Sequence, residues 1–153
     1  MKILIARVAK GQTKWADQAS STYLERVSNK WKISEQKFKL SAKTDIREKR
    51  SIESAQILKQ LTAGDRLIVL DERGESISSE KFASWIETSM NEGVKRVVFA
   101  IGGPFGHAPE LRQRAWKKLA FSPMVLNHEI ARVLLAEQIY RASTIIWGGK
   151  YHH

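Results

Sequence analysis

The residues best suited to chemistry lie between Arg96 and the C-terminal Tyr151-His152-His153. An apolar run, Val97 to Ile101, stops abruptly at Gly102-Gly103-Pro104-Phe105-Gly106. Paired glycines after a strand let a ligand lie against the main chain, because no side chain intervenes. A second short run, Leu119-Ala120-Phe121, is closed by Ser122-Pro123. Ser122 to Leu126 leads into a helix start at Asn127, where unpaired backbone amides face outward. The following helix carries His128, Arg132, Glu137, Tyr140 and Arg141. His128 and Arg132 are spaced to share one face, as are Glu137 and Arg141. Tyr and His at the tail suit stacking on a base and moving a proton.

Alone, each signal has a bland reading. Gly-Gly-Pro is a common turn. Gly102, Gly103 and Gly106 are not spaced as a dinucleotide fingerprint, and no Lys-Ser/Thr completes a phosphate-binding loop. Spacing alone marks an uncommitted, nucleotide-sized pocket. The helix charges would ordinarily be surface ion pairs. Adjacent terminal histidines do not make a metal site.

The elements that must position these residues alternate. Lys2–Ala9, Arg66–Leu70 and Lys95–Ile101 read as strands, Trp31–Leu40 as a lysine-bearing edge strand, and Leu119–Phe121 as a brief strand. Helical stripes fall at Thr13–Asn29 (Trp15, Ala19, Tyr23, Val27), Ile46–Ala63, from Ser78 or Ser79 to Asn91, at Pro109–Lys118 and from Asn127 to about Ile146. Asp71-Glu72-Arg73-Gly74 reads as a turn. This alternation predicts one α/β domain over residues 1–153, with a mostly parallel sheet flanked by helices. Ligands of such sheets sit beyond the carboxyl ends of the strands, here Leu70, Gly102 and Phe121. The last helix is apolar over a wide arc and must be buried, inside the fold or against a second copy; a dimer interface is the favoured reading, with its arginines reaching toward ligand or RNA.

Composition narrows the class. The net charge is +10, and residues 1–60 carry 14 basic against 6 acidic residues. Such asymmetry points to a polyanion, most often nucleic acid. There is no cysteine, hence no disulfide and no thiolate metal site. No run approaches the roughly 20 apolar residues of a membrane helix, and the N-terminal apolar piece is too short for a signal peptide. A soluble cytoplasmic protein is the simplest expectation.

Taken together, IGGPFG at 101–106, FSPMVLNHEIAR at 121–132, LLAEQIYRA at 134–142 and the terminal Tyr-His resemble the RlmH family, SPOUT-class methyltransferases of ribosomal RNA. The resemblance spans essentially the whole chain. It implies a C-terminal deep trefoil knot whose loops bind S-adenosylmethionine, with contacts at Leu70, Gly102, Phe121, Ser122, Pro123, Met124, Val125 and Leu126. It implies a homodimer whose active site is completed by the partner's tail. The implied reaction methylates N3 of a pseudouridine in large-subunit (23S) rRNA on the assembled ribosome, without a metal. Arg141, Tyr151 and His152 are the catalytic candidates: Arg141 to stabilise the ring anion, Tyr151 to orient the base, His152 as general base. His128 is expected to be structural, and the lysines of the first part to hold ribosomal phosphates. Two positions depart from the pattern. Asn127 stands where many relatives have proline, and His153 where a basic residue often follows. The competing readings are a non-catalytic RNA-binding or ribosome-assembly module, and a related methyltransferase acting on tRNA.

Overall fold

A computed structural model describes residues 1–152; His153 lies outside the described residues. Five strands alternate with five helices: β1 (Lys2–Val8), α1 (Lys14–Leu24), β2 (Lys32–Phe38), α2 (Ile46–Leu58), β3 (Asp65–Ser76), α3 (Ser79–Asn91), β4 (Arg96–Ile101), α4 (Pro109–Arg114), β5 (Lys117–Ala120) and α5 (His128–Trp147). Short 3-10 turns follow α1 and α5. The sheet order is β2-β1-β4-β3-β5, and every pairing is parallel. The expected α/β architecture is therefore present, with β2 at an edge.

β1, β4 and the first half of β3 are buried on both faces, which is why they read as continuous apolar runs. Alternate residues feed two cores. Ile3, Ile5, Ile68, Val97 and Phe99 face Phe82, Trp85 and Ile86 of α3 and Leu135 and Ile139 of α5. Leu4, Ala6, Val8, Leu67, Val69 and Val98 face Ile57 of α2 and Leu111 of α4. No described helix is long and apolar enough to cross a membrane.

Caps set the helix starts. The Ser78 hydroxyl accepts from the Lys81 amide at 3.2 Å, and Asn127 Oδ1 accepts from the Glu129 amide at 2.8 Å. Asn127 thus caps α5. Gly148, at φ 76°, ends α5 in the left-handed region.

Four local expectations are corrected. Asp71 to Gly74 is not a terminal turn: β3 continues to Ser76, and Leu119 pairs first with Leu70 and again with Glu75. Gly74 makes this possible, because a Cβ there would stand 2.6 Å from the Lys118 carbonyl carbon and oxygen. Helix α4 stops at Arg114 instead of Lys118; the Trp116 amide donates to Leu67 O at 2.8 Å and draws the chain into the sheet. Phe121 consequently lies just past β5. Trp15 is exposed, and α1 buries Ala16 and Ser20 instead.

Candidate active site

A cavity of about 370 Å³ opens beyond the carboxyl ends of β3, β4 and β5, against the first turn of α5. Pockets for small ligands are typically of roughly 300–1,000 Å³. The strand ends contribute Leu70, Ile101, Gly102, Leu119 and Ala120. The loop after β5 contributes Phe121, Ser122, Met124, Val125 and Leu126. Of the expected cofactor contacts, Pro123 alone is not among the lining residues. The Ser122 hydroxyl accepts from the Met124 amide at 2.9 Å and bends this loop. Met124 and Val125 line the cavity while remaining 74% and 81% exposed.

The glycine loop is shaped by close contacts. The Gly106 amide donates to Gly103 O at 3.0 Å, and Gly106 takes φ 73°. A Cβ on Gly102 would come within 3.1 Å of the Gly106 backbone. Behind Gly103 stands Glu53, buried, with Oε1 accepting from the Ser41 amide at 2.8 Å. His107, next in the chain, is buried too. Burial pushes its pKa down to about 4, and its Nε2 lies 3.3 Å from Ala100 O. A neutral imidazole there donates to the carbonyl and ties the loop to β4.

Sequence reasoning missed two acidic groups of the cavity, Asp71 and Glu72. They follow Leu70 directly, so the signal was present but was assigned to a turn. Asp71 is held by Arg112 Nε at 2.8 Å. His128 and Ala131 also line the wall, from the first turn of α5.

Arg132 does not reach toward a ligand. It is buried, with Nε 3.1 Å from Glu35 Oε1 and Nη1 2.5 Å from Asp17 Oδ1. Glu129 and Arg7 complete the cluster, with Arg7 Nη1 3.1 Å from Glu129 Oε1. A buried guanidinium requires such partners. The Arg132 hydrogen bond holds the Asp17 carboxyl below its ordinary value. The cluster anchors the start of α5, and with it one wall of the cavity.

The catalytic candidates are brought together, but elsewhere. Arg141 donates from Nε and Nη2 to Glu137 Oε1 at 3.0 and 2.6 Å. Its Nη1 is 3.4 Å from the carbonyl oxygens of both Tyr151 and His152. Tyr151 packs on Tyr140 with ring centroids 4.5 Å apart. His152 Nε2 lies 2.8 Å from Glu80 Oε1 of α3. This group sits thirteen residues along α5 from His128, about 20 Å at the helical rise. Within one chain, cavity and tail occupy opposite ends of a helix.

The family described as "Predicted SPOUT methyltransferase" matches residues 1–152. The chain belongs to the SPOUT methyltransferase family. Among its relatives, a Bdellovibrio bacteriovorus protein named Ribosomal RNA large subunit methyltransferase H is 40% identical over 100% of this chain and 99% of its own length. A Trichlorobacter lovleyi protein of the same name is 38% identical over the full length of both chains. A Phocaeicola vulgatus protein, again so named, is 46% identical over 63% of this chain and 62% of its own. A SPOUT methyltransferase requires a methyl donor, and the strand-end cavity has the position, size and lining to hold one.

Proposed function

We propose that this chain methylates N3 of a pseudouridine in large-subunit ribosomal RNA on the assembled ribosome. The donor is S-adenosylmethionine, and the working unit is a homodimer. The observation that carries the reading is the cavity itself. Seven of the eight positions implied as donor contacts line one volume in a chain that relatives named for rRNA methylation match end to end.

The lining fits the donor's chemistry. Asp71 and Glu72 offer carboxylates to a cationic ligand, Gly102 leaves main chain open to it, and Leu70, Phe121 and Leu126 give apolar cover. Bound there, S-adenosylmethionine supplies an electrophilic methyl group on a sulfonium. The protein's task is then alignment and control of one proton. His152 accepts the proton of the pyrimidine ring nitrogen. The Arg141 guanidinium stabilises the anion that results. Tyr151 holds the base in plane with the incoming methyl.

The separation of cavity and tail supports the homodimer. Two copies with α5 helices running antiparallel would set the tail of one against the cavity of the other. The half-open Ile130 and Leu134, one turn apart on α5, support an isologous contact. The trefoil knot belongs to the same reading. The location is the cytoplasm, where ribosomes are.

The test uses donor labelled in its methyl group, mixed with the protein and intact ribosomes lacking the modification. Label on a single pseudouridine of large-subunit rRNA is the expected result. Donor binding without ribosomal label would redirect the search to tRNA. Absence of donor binding would leave a non-catalytic RNA-binding module.

A further inference from the structure

A second concavity of about 370 Å³ lies on the other side of the β3–β5 junction. Arg73, Arg112, Lys117 and Lys118 line it, with Glu75 as its one carboxylate. Trp116 forms part of its wall and stays 37% exposed. Arg112 is paired with Asp71, and the other cations are paired loosely or not at all. Lys117 is 3.6 Å from Glu75, Arg73 is 3.8 Å from Glu72, and Lys118 is exposed with no ion-pair partner among the described residues. The aromatic wall is braced from beneath. The Arg66 guanidinium lies 4.3 Å from the Trp116 ring centroid, and Trp85 meets Trp116 edge-on at 6.0 Å. Cations beside a fixed aromatic ring are what single-stranded nucleic acid binds.

The groove is joined to the donor cavity. Asp71 lines the cavity and Arg112 lines the groove, and the two are paired at 2.8 Å. A backbone held in the groove is therefore led past the methyl donor. We infer that this groove is an RNA-docking surface that grips phosphodiesters of the substrate strand beside the donor cavity, with Lys117 and Lys118 as its principal phosphate contacts. The inference rests on the proposed rRNA methylation for its choice of polyanion. It places phosphate binding in the second half of the chain, whereas the charge count alone pointed to the first.

The experiment compares wild type with Lys117→Gln/Lys118→Gln. Lys95→Glu, an exposed position away from the groove, changes net charge by the same amount. Dissociation constants are measured for purified large ribosomal subunits and for protein-free rRNA across a salt series. S-adenosylmethionine affinity and thermal denaturation verify folding of each variant. The groove variant is expected to bind both RNA forms roughly tenfold or more weakly, with a log–log salt slope shallower by about 2. Its donor affinity should be unchanged, and Lys95→Glu should stay near wild type. Affinity and slope in the groove variant equal to those of Lys95→Glu would overturn the inference. Loss on subunits with unaltered binding to protein-free rRNA would assign the groove to an acidic protein partner and also overturn it. Weakened binding of the groove variant to both RNA forms, together with a wild-type protein that methylates neither, would uphold the groove and sink the proposed methylation instead.

Discussion

The guanidinium of Arg141 lies 4.8 Å from the ring centroid of Tyr151, and the same side chain donates toward the Tyr151 and His152 carbonyl oxygens. Arg141 thus fastens the tail to α5. Its charge is held by Glu137, whose carboxylate, with smaller help from Tyr151 and Tyr23, keeps its pKa above the ordinary arginine value against the opposing effect of burial. The proposed catalytic trio is gathered near the C-terminal end of α5, about 20 Å along the helix from the strand-end cavity.

Arg141→Ala should separate binding from turnover. The residue does not line the cavity, so affinity for S-adenosylmethionine should stay within about twofold of wild type. Removing a donor aimed at developing negative charge typically costs about a hundredfold or more in turnover. Calorimetry and single-turnover methylation of ribosomes measure the two quantities. Wild-type turnover would remove Arg141 from its role.

Tyr151 should titrate late. Hydrogen bonding to Tyr23, followed by burial, pushes its phenol up to about 12 from an ordinary 10.0. A raised pKa means that the fold favours the protonated form. The contribution is therefore whole below pH 10 and fades as pH climbs through 12. At neutral pH Tyr151 is a hydroxyl donor, not a base. Tyrosinate absorbance in an alkaline titration should show one late transition that Tyr151→Phe deletes. A Tyr151 phenol ionising near 10 would contradict the docked tail.

Gly74 and Gly64 should respond oppositely to alanine. A Cβ at Gly74 meets Lys118 backbone at 2.6 Å, whereas at Gly64 it meets nothing within 4 Å. Gly74→Ala should lose about 1–3 kcal/mol of stability, the range of overpacking. Gly64→Ala should gain about 0.4–1 kcal/mol by restricting the unfolded chain. Urea denaturation of both variants checks this. Equal stabilities would mean that β3 does not return across β5 at Gly74.

What the sequence made legible follows from the range of the interactions. Val97–Ile101 and Lys2–Ala9 announce buried parallel strands because both faces are covered. The glycine loop and Ser122–Leu126 announce a pocket because strand ends of this architecture hold ligands. Asp71–Gly74 misled because its partner, Leu119, lies far along the chain and local turn chemistry carries no sign of it. Arg132 misled for the same reason: helical spacing reveals that it shares a face with His128, but its carboxylates come from Asp17 and Glu35. The distance between Arg141 and the cavity was implicit in the helix length and became evident once α5 was seen to be unbroken.

Complementation between two defective variants is the most direct test of a site shared between copies. Gly102→Leu fills the donor cavity and leaves the tail intact. Arg141→Ala leaves the cavity intact and disables the tail. Each alone should transfer almost no labelled methyl group to ribosomes. Co-refolded in equal amounts, half of the dimers are mixed, and each mixed dimer holds one complete site. Transfer should recover to about a quarter of the wild-type rate, as random pairing of an isologous dimer requires. A mixture no more active than its components would contradict the shared site and return cavity and tail to a single chain.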